Sequence, residues 1–324
     1  MYLTRKVTRK ITEKYSVTVK YIKRYQAPQE AKGLMRKFGE CVKLMGNKYR
    51  KMVFFMIVSA SRRTDIPTYH SDWFFDRVKE GFVLTRNPMN HNQIREVSLR
   101  PDEVSGIVFW TKNPLPMTDR LDELENYMYY FQFSVTPYGK DIELNLPRKN
   151  NEILSAFKGL ADKIGPDRVI WRYDPILINE KYSADYHVRA FERIAREFQG
   201  FTKKVVISFI DRSYRNVKRN LKELALIDLS ADEQDRLASR LAEIARSCGL
   251  SVEACAQDID LAKHEINPAK CIDDVLLSNL LGYKIDVKKD RNQRSACGCA
   301  ASVDIGVYNT CLNGCRYCYA NWQC

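Results

Sequence analysis

The residues with the most chemical potential in this chain are its thiols. Of ten cysteines in 324 residues, six lie between Cys297 and Cys324. Cys311-Leu-Asn-Gly-Cys315-Arg-Tyr-Cys318 is a C-x3-C-x2-C run, with Gly314 permitting a tight turn. Iron–sulfur cubanes are normally held by four thiolates. Three at this spacing leave one iron without a protein thiolate, an open position suited to a substrate ligand. A zinc site, which usually takes thiolates in C-x2-C pairs, and a redox disulfide are the competing readings. The chain shows no apolar secretory signal, so a reducing, cytoplasmic setting is expected, where clustered cysteines favour metal or redox chemistry.

A second set of four is Cys255, Cys271, Cys297 and Cys299. The C-x-C pair sets two thiolates on one short loop, and Cys255 ends an expected strand. The four read as an auxiliary iron–sulfur cluster, a structural zinc, or, for Cys255 and Cys271, ordinary buried thiols. Cys41, Cys248 and Cys324 take no role.

These residues need a scaffold. From Met56 onward, short β-branched and aromatic runs alternate with amphipathic helical patterns. Strands are expected at 57–60, 106–110, 130–135, 168–173, 204–210, 250–254 and 302–308. Most are continuous apolar runs, as in a parallel sheet covered on both faces. Helices are expected at 71–80, 150–164, 183–198, 230–248 and 273–281, from N-capping residues at their starts and glycines at several ends. Seven strands in βαβ alternation predict an α/β fold, a TIM-like parallel (βα) barrel or partial barrel, as one domain over 56–324.

In such folds the chemistry sits where strands end. The expected strand ends are polar: Ser61-Arg62-Arg63-Thr64-Asp65, then Thr111-Lys112-Asn113, then Arg172-Tyr173-Asp174, Ser208 with Asp211, and Glu253 with Cys255. Arg62, Arg63, Asp65, Lys112, Asn113, Arg172 and Asp174 are the candidates for holding the carboxylate, amino and ribose groups of a nucleoside-like cofactor. Caps and ion pairs at a barrel rim would use the same residue types.

The C-x3-C-x2-C loop after a strand, with aromatic Tyr317 before its third cysteine, resembles the cluster loop of radical S-adenosylmethionine (SAM) enzymes. The runs Ser59-Ala-Ser-Arg-Arg-Thr-Asp-Ile-Pro67, Phe109-Trp-Thr-Lys-Asn-Pro114 and Trp171-Arg-Tyr-Asp-Pro175 extend the resemblance. With Cys297-Gly-Cys299, Asp304-Ile-Gly306 and Cys311 to Asn321, they identify the chain, from about Met56 to Asn321, as a member of domain-of-unknown-function family 1848. Membership implies a radical-SAM-like cysteine cluster at the C-terminus. The resemblance implies a [4Fe-4S] cluster on Cys311, Cys315 and Cys318. It also implies SAM on the open iron, a low-potential electron donor and an unknown substrate. Radical SAM enzymes normally carry this loop after the first barrel strand, so its late position implies a circular permutation. Family members usually continue beyond the Tyr-Ala-Asn, so some cover for the cluster is expected beyond Cys324.

Charge and composition bound the alternatives. Apolar residues make up 45% and charged residues 29%, which excludes a largely disordered chain. No apolar run approaches the ~20 residues of a membrane-spanning helix. Residues 1–55 carry 15 Lys+Arg against 3 Asp+Glu, so almost all of the +13 net charge lies there and the rest is near neutral. This basic extension, interleaved with tyrosines, reads as a solvated appendage, as leader ahead of a start at Met56, or as an arm for nucleic acid or an anionic membrane surface. Two alternatives follow: a radical nucleic-acid repair or modification enzyme resembling spore photoproduct lyase, and a non-catalytic iron–sulfur or zinc protein.

Overall fold

The computed structural model describes residues 56–147, 152–257, 259–294 and 296–321. The basic extension 1–55 and Cys324 lie outside the described residues. The framework is one parallel sheet built from β1 (Met56–Ala60), β4 (Val104–Thr111), β5 (Tyr129–Ser134), β6 (Val169–Ile176), β7 (Lys204–Phe209), β8 (Ser251–Ala254), β9 (Asn267–Pro268) and β10 (Val303–Asp304). Its spatial order is β10-β1-β4-β5-β6-β7-β8-β9. The last strand in sequence pairs in parallel beside the first, Val58 opposite Val303 and Ser59 opposite Asp304. The α/β class and the large parallel sheet agree with the sequence pattern. Among the described residues β9 and β10 are edges with no ladder joining them.

Alternation along each strand splits the sheet's side chains between two cores. One face carries Val58, Phe109, Phe131, Phe133, Trp171 and Ile207. It packs against α2 (Ser71–Glu80), α4 (Leu154–Ile164), α5 (Ala184–Phe198) and α7 (Ala231–Ser247). Aromatic pairs run across this face: Phe109 stacks on Phe131 at 4.8 Å and Trp171 on Phe191 at 4.8 Å. Such pairs add about 0.5–1.5 kcal/mol each beyond their area burial. The opposite face carries Ile57, Val108, Tyr130, Ile170 and Val206. Among the described residues one helix covers it, α8 (Asp274–Leu281), with the coil that holds Cys271, Cys297 and Cys299.

Caps explain where the helices begin. Ser230 and Glu233 form a reciprocal capping box on α7, Ser183 caps α5, and Asp273 accepts from Val275 and Leu276 at the start of α8. The α2 start differs from expectation. Its N-cap is His70, without a side-chain cap bond, and Ser71 Oγ donates to Pro116 O at 3.3 Å instead.

Shorter elements were not evident from the sequence: α1 (Ile66–Tyr69), α3 (Leu115–Thr118), α6 (Arg215–Asn220) and the antiparallel hairpin β2 (Phe82–Asn87) with β3 (Asn90–Ser98). The expected strand over 302–308 keeps only Val303 and Asp304 in the ladder. The Asp304 carboxylate accepts the amides of Arg62 and Gly306, which turns the chain away. No described helix is long and apolar enough to cross a membrane.

Candidate metal centre

The parallel register brings the β10 end beside the β1 end, and Asp304 ties the two together. One carboxylate oxygen accepts from Ser59 Oγ at 2.6 Å and Arg62 N at 2.8 Å; the other accepts from Ser61 Oγ at 2.6 Å and Gly306 N at 3.0 Å. Gly306 has to be glycine here, because a Cβ would stand 2.1 Å from Ser61 Oγ. From this anchor the chain enters the loop that carries Cys311, Cys315 and Cys318.

That loop is fastened on every side. Asn313 Nδ2 donates to Asp65 Oδ2 at 3.0 Å, and Tyr69 OH donates to Asn313 Oδ1 at 2.9 Å. Asn145 Nδ2 donates to Leu312 O, Arg316 N to Ile142 O, and Asn321 Nδ2 back to Cys311 O. Glu143 and Cys315 form an antiparallel bridge. Gly314 sits at φ +64, where other residues are strained. Asn216 and Asn220 of α6 reach the carbonyls of Tyr319 and Asn321.

Beneath Cys315 lies a buried ionic knot. Lys112 Nζ meets Glu143 Oε1 at 2.9 Å, and the same oxygen accepts from Thr136 Oγ1 at 2.8 Å and from Tyr317 OH. Burial pulls the Lys112 ammonium down, but Glu143 and Cys315 more than offset it, so it stays charged. The thiols are held neutral. Burial, with Asp65 nearby, pushes Cys311 up to about 12. Burial lifts Cys315 well above its ordinary value against the pull of Lys112, and lifts Cys318 against two backbone amides.

The seven polar candidates divide by what they already hold. Asp65 is spent on structure: buried, it caps α1 through Thr68 N and accepts Lys112 N at 2.8 Å besides Asn313. Asn113 likewise accepts Leu115 N and, through its carbonyl, Thr68 Oγ1. Arg62 contacts Asp290 at 3.4 Å, and its carbonyl accepts from Tyr319 OH. Arg63 donates to Gly306 O at 3.3 Å and lies over the Tyr308 ring. Arg172 and Asp174 stand farther round the sheet on β6, paired to each other, with Ser208 Oγ donating to Asp174.

The second cysteine set also converges. Cys255 and Cys271 sulfurs lie 3.6 Å apart, and Arg172 Nη1 donates to Cys271 Sγ at 2.9 Å. Cys299 Sγ accepts from Ile272 N at 3.5 Å, and Cys271, Cys297 and Cys299 share one buried cluster against which Cys255 packs. Hydrogen bonds from Cys255 and Cys299, with Arg172 beside it, draw Cys271 well below the usual thiol range. All the described cysteines are free, and Cys248 is buried at the end of α7. Among the described residues no group of three or more His, Cys, Asp or Glu side chains is placed so as to hold a metal ion.

Sequence reasoning missed Glu143 and Asn313, and did not single out Asp304 as a site residue. Glu143 lies outside the quoted motifs, Asn313 is an unspecified position within the C-x3-C run, and each of the three acts through contacts with distant parts of the chain.

The family described as Domain of unknown function (DUF1848) matches residues 57–320. No curated protein matches the chain. Among matching solved structures is a Bacteroides thetaiotaomicron protein described as an alpha-L-fucosidase, at 10% identity, covering 72% of this chain and 86% of that one with a TM-score of 0.27.

Proposed function

The chain belongs to the DUF1848 family, and from that premise we propose that it is a radical SAM enzyme whose Cys311, Cys315 and Cys318 hold a [4Fe-4S] cluster. The observation that carries the reading is the setting of those thiols: three soft donors on one loop, fastened to the ends of β1 and β4, above a fixed cation at Lys112. The donor set fits a cubane with one iron left for a small-molecule ligand. When bound, such a cluster with SAM supplies reductive cleavage of the sulfonium and the radical chemistry that follows.

The chain's own residues bind and orient. Lys112 sets a positive charge beside Cys315 and favours its thiolate, while Glu143 and Tyr317 fix that charge in place. Asp65, Asn313 and Tyr69 hold the loop's register against β1 and α1. Arg63 uses few of its five donors in the bonds described, and the rest are suited to the carboxylate of SAM. We also read the sheet as a partial barrel, in which β10 beside β1 takes the place of the usual cluster-bearing strand; this is the permutation. The exposed cations Arg215, Lys218, Arg219 and Lys222 lie on and just after α6, which touches the loop. They offer charge complementarity to an acidic electron-donor protein. The reaction's substrate is a further molecule at the strand ends.

The test is SAM cleavage by the full chain, reconstituted with iron and sulfide without oxygen and reduced with dithionite. The reading predicts formation of 5′-deoxyadenosine by the native chain and its loss in Cys315→Ala. Cleavage that persists in Cys315→Ala, or its absence from an iron-loaded native chain, overturns the reading.

A further inference from the structure

We infer that Cys255, Cys271, Cys297 and Cys299 form a second metal centre, a tetrahedral four-thiolate site for a single zinc-like divalent ion. It is separate from the Cys311–Cys318 loop and does not depend on that loop's function. The four residues come from three stretches of chain: the end of β8, the turn after β9, and the coil before β10. Sixteen positions separate the first two and twenty-six the next, yet the Cys255 and Cys271 sulfurs touch, Cys299 Sγ accepts from the amide next to Cys271, and Cys297 lies with them in one buried cluster.

The spacing favours a single ion. Zinc–thiolate bonds of about 2.3 Å imply neighbouring sulfurs about 3.8 Å apart in a tetrahedron. Cys255 and Cys271 stand at 3.6 Å. A cubane would put its own iron and sulfide between them and spread them further. The remaining step is to draw Cys297 and Cys299 in to the Cys255–Cys271 pair.

The surroundings suit a dianionic centre. Four thiolates around one divalent ion carry a net charge of minus two. Arg172, almost fully buried, already donates to Cys271 Sγ at 2.9 Å. Ile272 N approaches Cys299 Sγ at 3.5 Å. The Cys271 backbone is held independently, its carbonyl accepting from Tyr130 OH at 2.6 Å and Gln132 Nε2 at 3.0 Å. Cys297, Cys299 and Cys271 are buried, and Cys255 is half-buried.

The position supplies a purpose. This face of the sheet is covered by one short helix and by coil, and the four cysteines join the coil on either side of α8 to the end of β8. On binding, those of the four sulfurs that still carry a proton release it, and the ion enters without any redox change.

The test uses the full chain with Cys311, Cys315 and Cys318 all changed to alanine, so failure of the iron–sulfur reading leaves it intact. The protein is loaded with zinc, dialysed and analysed for metal. One zinc per chain is expected, released as four thiols are titrated with a mercurial reagent. Cobalt in its place is expected to give the intense visible absorption of tetrahedral thiolate coordination. Adding Cys271→Ser and Cys299→Ser should lower zinc retention at least tenfold, while Cys248→Ser should leave it unchanged. Release measured on the triple-alanine chain needs no further folding-sensitive variant. Zinc retained equally without Cys271 and Cys299 overturns the inference. So does no retained zinc, a Cys255–Cys271 disulfide in its place, or iron with sulfide bound at these four cysteines.

Discussion

At the scale of single residues, the centre depends on groups that carry charge out of water. Glu143 is fully buried, and Lys112 is the cation bonded to it. Lys112→Met leaves that carboxylate without its cation and is expected to cost about 3–5 kcal/mol, read as a lower urea midpoint. Lys112→Met with Glu143→Gln should recover much of the loss; equal instability in the double variant would contradict the pairing. His187 makes a prediction about pH. Burial lowers it from 6.5 to about 4, with Tyr173 OH at 2.8 Å from Nδ1 and Nε2 facing Leu177 O at 2.9 Å. Because the fold favours neutral imidazole, its contribution is fully present above pH 6.5 and is lost as pH falls towards 4, up to about 3 kcal/mol. In His187→Gln the slope of stability against pH over that window should flatten by this amount. An unchanged slope would exclude His187 as its source. The cysteines could be read in the sequence because spacing alone marks them. Glu143 and Asn313 could not, since 31 and 248 residues separate them from the partners that define them.

At the scale of elements, the helices that begin at side-chain caps were legible, as α5, α7 and α8 show. The hairpin was not. Val83 and Val97 are buried at its base, but Leu84 and Ile94 are exposed, so β2 and β3 show little of the alternation that marks a half-buried strand. The β10 strand was overextended because its polar Asp304 acts on the neighbouring strand instead of continuing the ladder. Two glycines test this account of packing. Gly306→Ala drives a methyl group into Ser61 Oγ and is expected to cost about 1–3 kcal/mol, seen as a lower melting temperature with weaker iron retention by the loop. Gly159→Ala meets nothing within 4 Å inside α4 and should stabilise by about 0.5–1 kcal/mol. If both variants melted alike, the close approach of β10 and β1 would be wrong.

At the scale of the whole molecule, the net charge and the cysteine clusters belong to different parts of the sequence. Residues 1–55 carry a net +12, and the rest a net +1. Any affinity of the full chain for DNA should fall steeply with salt and disappear when residues 1–55 are removed, as a gel-shift titration at two salt concentrations would show. Salt-dependent binding retained by residues 56–324 would instead favour a nucleic-acid substrate at the strand ends. The parallel sheet was legible because both its faces are covered and its strands read as apolar runs. The neighbouring places of β10 and β1 were not, since pairing order is set by contacts across the full length of the body. The most direct measurement is an electron paramagnetic resonance spectrum of the reconstituted, reduced chain, recorded with and without SAM. A [4Fe-4S] signal that changes shape when SAM is added and is absent from Cys315→Ala is expected. A signal indifferent to SAM, or one that survives in that variant, would contradict the proposed function.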